Sequence, residues 1–82
     1  MVALILTRAG FEDMRPRIDV GRDAIWVNAG VLSASEIAKL RELGCDLSVF
    51  TNPLDLSDLA SDIDTVVEHH PNEVLWVETL AR

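Results

Sequence analysis

The apolar positions of this chain fall into four short runs. Val2 to Thr7 is almost continuously apolar and rich in branched residues, the pattern of a strand covered on both faces. Ala24 to Ala29 predicts a second strand, with Ile25, Trp26 and Val27 at its centre and Gly30 breaking it. Cys45 to Thr51 predicts a third, given bulk by Leu47, Val49 and Phe50 and ended by Asn52-Pro53. Val74-Leu75-Trp76-Val77 predicts a final strand, apolar on both sides.

Two helices are written between these runs. Ser33 stands three residues before Glu36, the spacing of a capping box, and Leu32 and Ile37 occupy the two positions of a hydrophobic staple. Gly44 follows where a left-handed C-terminal cap is wanted, so a helix is predicted over Ala34 to Leu43 with Ile37 and Leu40 facing inward. A second helix starts near Asp55 or Ser57, either of which can cap it. Its apolar stripe is Leu56, Leu59, Ala60, Ile63, Val66 and Val67, and it ends at His70 because Pro71 forces its predecessor out of helical geometry. Arg8 to Asp23 is harder to read. Gly10, Pro16 and Gly21 punctuate it, and Ile18 and Val20 alternate with Arg17 and Asp19, which suggests a short half-exposed strand turned back at Gly21-Arg22-Asp23.

The expected fold is a single small α/β domain with a mostly parallel sheet of four or five strands and two helices, the first strand inserted centrally. The two helices share one sheet face if the strands run in simple order and lie on opposite faces if the order reverses. In the first case a bare face presents Trp26 or Trp76 and a homodimer buries it; in the second, Arg8 to Asp23 folds over what remains and the chain is a monomer.

Eighty-two residues, 49% apolar and 26% charged, suit one foldable domain with one core. The net charge of −7 changes the picture more, because acids and bases balance as far as Glu42 and the remainder holds eight acids against Arg82. Such a field repels phosphate-rich partners, so neither nucleic acid nor an anionic membrane is expected. Cys45 is the only cysteine, too few for a disulfide or a structural zinc site, and Val2 to Leu6 is too short for a signal segment. A cytoplasmic location is expected.

Open parallel sheets bind ligands beyond the carboxyl ends of their strands. That edge would gather Arg8, Asn28, Ser33 and Asn52, with the Ser33 helix offering N–H groups and Arg8 a forked donor to a small anion. The chain has no glycine-rich phosphate loop, and Gly30-Val31-Leu32-Ser33 lacks the required spacing. Cys45, just after a helix C-terminus, reads as a structural thiol rather than a nucleophile. The adjacent His69 and His70 diverge on a helix and do not make a metal chelate. Asp58, Asp62, Asp64 and Glu68 make an acidic helix face that a basic protein partner would relieve and that water serves equally well.

No catalytic residue, metal or cofactor is therefore assigned. The leading expectation is a non-catalytic interaction or accessory module that self-associates through a sheet surface or a strand edge, with Trp26 and Trp76 as candidate anchors. The alternative is a small-molecule or anion-binding domain, or a minor enzyme, using the carboxyl edge.

Overall fold

The computed structural model describes residues 1–78, with Leu56 described by its backbone alone. Four parallel strands, β1 (Val2–Ile5), β2 (Ala24–Val27), β3 (Asp46–Val49) and β4 (Leu75–Val77), form one sheet in the order β3-β2-β1-β4. Three helices join them, α1 (Arg8–Met14), α2 (Ala34–Glu42) and α3 (Leu59–His69), giving a small α/β domain. β1 is central, as expected, paired with β2 on one side and β4 on the other.

The strand order decides which face each helix covers. β1, β2 and β3 follow one another across the sheet, and the crossovers carrying α1 and α2 put both helices on one face. The chain then returns from β3 across the whole sheet to β4, so a crossover of the same hand must pass over the other face and takes α3 with it. Side chains alternate accordingly. Ala3, Ile5, Ile25, Val27 and Leu47 meet Phe11 and Met14 of α1 and Leu40 of α2 in one cluster, whereas Val2, Leu4, Leu6 and Ala24 meet Val66 in the other. The helices thus take the opposite-face arrangement, the one for which a monomer is expected. Among the described residues no sheet face is left bare to make Trp26 an exposed anchor, so self-association is left with a strand edge rather than a face.

The largest departure from expectation is α1. Arg8 to Asp23 holds no strand and no hairpin. Thr7 caps α1 by accepting from the Gly10 N–H, and Phe11 and Met14 bury the inner side of the helix. Pro16 then tightens the chain into a 3-10 turn over Arg15–Arg17. Ile18 is buried and Val20 half-buried because the next residues curl back on themselves. The Asp19 carboxylate accepts from the Gly21 N–H, and Asp23 accepts from the Asp19 N–H. The alternation of apolar and polar residues there records an Asx-type turn, not a pleat.

Helix α2 follows its local signals closely. Both arms of the capping box form, Glu36 N–H to Ser33 Oγ and Ser33 N–H to the Glu36 carboxylate. At the other end Gly44 takes φ of +88° while its N–H reaches the Arg41 carbonyl and the Cys45 N–H reaches that of Leu40, a Schellman motif. Helix α3 begins one turn later than its first cap. Asp55 caps a 3-10 turn over Leu56–Asp58 that leads into it. Its inward stripe is the buried Val66 with the half-buried Leu59 and Ile63, while Ala60 and Val67 lie about 100° round the axis and are exposed.

Cys45 is buried at the start of β3 in the α1–α2 cluster, and desolvation pushes its thiol above the ordinary range. A neutral thiol reagent is expected to label the native protein at pH 7 far more slowly than the unfolded chain. Native labelling as fast as in denaturant would show an accessible thiolate.

Candidate functional site

The carboxyl edge is the natural place to look, and reversal of strand order puts the crevice of this sheet between β1 and β4. The crevice is filled by the chain itself. Glu78, the residue after β4, turns its carboxylate over the end of β1 and accepts from the N–H groups of Leu6 at 2.8 Å and Thr7 at 2.9 Å and from the Thr7 hydroxyl. Gly10 is buried against it, and a Cβ at that position would overlap the Glu78 carboxyl. An internal anion thus sits where α1 starts and holds β4 to β1 from outside the ladder.

The polar side chains expected at this edge are similarly engaged. Arg8 donates to both carboxylate oxygens of Glu36 at 2.9 and 2.7 Å and to Glu12 at 3.1 Å, and its guanidinium lies over the Phe11 ring. This ties α1 to the cap of α2. Ser33 is committed to that cap. Asn28 is a cross-brace, donating to the Leu6 carbonyl at 3.2 Å and accepting from the Leu54 N–H at 2.8 Å, so it fastens the loop after β3 to the end of β1. Asn52 is apart from the other three. It lines a hollow of about 290 Å³ beyond β3 together with Asp55, Asp58 and Asp62, surroundings that repel an anion. Arg8 and Ser33 therefore meet through Glu36, Asn28 braces a neighbouring loop, and Asn52 joins an acidic hollow. The four do not converge on one ligand.

Three carboxylates are held below the ordinary range by their partners: Glu36 by the Ser33 N–H and then by Arg8, Asp23 by the Asp19 N–H and then by the α-amino group, and Asp55 by Ser57. A carboxyl whose folded pKa lies below its unfolded value contributes stability above the unfolded pKa and loses it as pH falls through the folded one. The thermal midpoint is therefore expected to be level near neutrality and to fall below about pH 4. Glu36→Gln should shallow that fall, and an identical acid profile would remove Glu36 from the account.

Sequence reading did not find the cluster around Trp26. The indole lies under the end of α3, with Phe50 at 5.5 Å and the His69 ring edge-on at 5.3 Å. Its N–H donates to His70 Nε2 at 3.0 Å, which makes Nδ1 the protonated nitrogen of the neutral ring, and Nδ1 lies 3.1 Å from Glu73. His69 donates from Nδ1 to the Thr65 carbonyl of its own helix. The two histidines thus fasten Trp26 to α3, and among the described residues no three His, Cys, Asp or Glu side chains gather as a metal site. Trp76 differs: it is half-buried at the margin of the α1–α2 cluster.

The two edges of the sheet are unlike. In β3 the Phe50 N–H donates to Val27, so alternation turns the main-chain groups of Leu47 outward, and there Arg41 donates to the Leu47 carbonyl at 3.0 Å. Asp46 adds a charge at the start of that strand. In β4 the Val74 carbonyl accepts from Val2 and the Glu78 N–H donates to Leu4, so Val74, Trp76 and Glu78 face β1 while Leu75 and Val77 turn their main-chain groups away. No described residue bonds to those outward groups, and no charge interrupts Val74–Val77. Val74 is 75% exposed.

No helix among the described residues is long and apolar enough to cross a membrane. No protein-family model matches the chain, and comparison with curated proteins and with solved structures likewise gives no match.

Proposed function

We propose that this domain is a small non-catalytic interaction module that self-associates through the β4 edge of its sheet. The observation that carries this reading is the contrast between the edges: β3 has its outward Leu47 carbonyl taken by Arg41 and a charge, Asp46, at its start, whereas β4 offers the outward groups of Leu75 and Val77 within an uncharged apolar run. An edge of that kind is a template for another strand. The rival use of the carboxyl edge as an anion site draws no support from Arg8, Ser33 and Asn28, which are engaged in holding α1, α2 and the loop after β3.

Light scattering behind size exclusion tests the proposal. At micromolar concentration the peak should carry twice the 9.1 kDa chain mass and should move toward the single-chain mass on dilution. A 9.1 kDa mass at every concentration would defeat it.

A further inference from the structure

We infer that two copies join β4 to β4 in antiparallel sense about a two-fold axis at Trp76, making one continuous sheet from two four-stranded ones. This arrangement rests on the self-association proposed above and adds its partner, direction and register.

The parity of the strand carries the argument. An antiparallel pair forms only where residues that turn their main-chain groups outward face one another, and in β4 those residues are Leu75 and Val77. A two-fold axis at Trp76 sets Leu75 opposite the partner's Val77, and the reverse, so each pair exchanges both of its main-chain bonds. This register uses all of Leu75–Val77 and nothing outside the strand. Trp76 then faces the partner's Trp76 at a non-hydrogen-bonded position, with both indoles on the α1–α2 face, where each is half-buried at the margin of its own cluster. The leftover indole surface of one copy covers that of the other.

The contact itself carries no charge, although each copy carries a net −7. Nothing between Val74 and Val77 is charged. At the ends of the run the register sets Glu78 opposite the partner's Val74 and beside the partner's Glu73, but Glu78 is already engaged with Leu6 and Thr7. The acids of the two copies therefore flank the paired strands rather than lie between them.

Two variants test the arrangement alongside the wild type. Val77→Pro removes one outward N–H and spares the bonds to β1, since proline is tolerated in an edge strand when its missing donor faces outward. Trp76→Cys, made with Cys45→Ala, places two thiols across the axis at a Cα separation of about 4.5 Å, within reach of a disulfide. The expected result is a wild-type dimer, a folded monomer for Val77→Pro, and a covalent dimer of the cysteine variant on mild oxidation, with Val67→Cys in the same background uncoupled. A wild-type dimer whose cysteine variant does not link, or a Val77→Pro dimer of unchanged affinity, would overturn this register while leaving self-association in place. A wild-type monomer would overturn both. Should Val77→Pro fail to fold, the cross-link alone decides.

Discussion

Gly10→Ala is expected to destabilise the domain, and to do the opposite once Glu78 has been removed. In an isolated helix the change would gain up to about 1 kcal/mol, because alanine is the better helix former. Here the new methyl overlaps the Glu78 carboxyl, which is the far end of a flexible side chain and can swing away. Swinging away gives up its bonds to Leu6 N–H, Thr7 N–H and the Thr7 hydroxyl. Losing a charged acceptor from partly buried donors costs about 2–3 kcal/mol, so the net loss should be roughly 1–2 kcal/mol. In a Glu78→Ala background only the helix gain remains. A double-mutant cycle in urea would therefore show a coupling of about 2 kcal/mol and a reversal of sign, and additive effects would mean that Glu78 does not seal the crevice.

A larger loss is expected for Leu4→Ala. Leu4 is fully buried in the central strand, in the cluster that Val66 and its helix cover. Truncating such a leucine costs about 3 kcal/mol through lost transfer energy and the cavity left behind. A chain of this length holds roughly 4–12 kcal/mol in all. The urea midpoint should fall accordingly with an unchanged slope, whereas Leu43→Ala, at a position 57% exposed, should shift it by less than about 0.5 kcal/mol. Equal effects at the two sites would show that α3 does not seal the Leu4 face.

These expectations could be drawn from the sequence only in part, and the division follows the range of each signal. The ends of α2 are specified by residues within one turn of each other, so Ser33, Glu36 and Gly44 announce it. β1, β2 and β4 announce themselves by unbroken apolar runs, and β3 by Leu47 and Val49 alternating with Asp46 and Ser48. Helix α1 was hidden because it is only seven residues long and contains Gly10, and because its cap, Thr7, reads as the end of a strand. Phe11 and Met14, three apart, are its periodic trace. The faces covered by the helices depend on strand order, which no local residue encodes. Glu78 and Gly10 lie 68 positions apart and meet only because β4 returns beside β1, so neither could be singled out in advance. An acid directly following an apolar strand was the one clue available.

The central position of β1 also bears on how the chain reaches this structure. β1, β2 and β3 with α1 and α2 can come together from the first fifty residues, through crossovers between sequence neighbours. β4 cannot join until residues as far as Val77 are present, since Val2 pairs with Leu75 and Leu4 with Val77. Until then Val2, Leu4 and Leu6 have no cover on the α3 side, and an early assembly would expose them together with one open flank of β1. Such late, long-range closure slows folding and lengthens the time during which sticky surface is displayed. During synthesis the segment from β1 to β3 would emerge first and wait for α3 and β4. Refolding should accordingly be biphasic, with burial of the Trp26 indole beneath α3 in the slower step, and the yield should fall with protein concentration as half-built sheets capture one another.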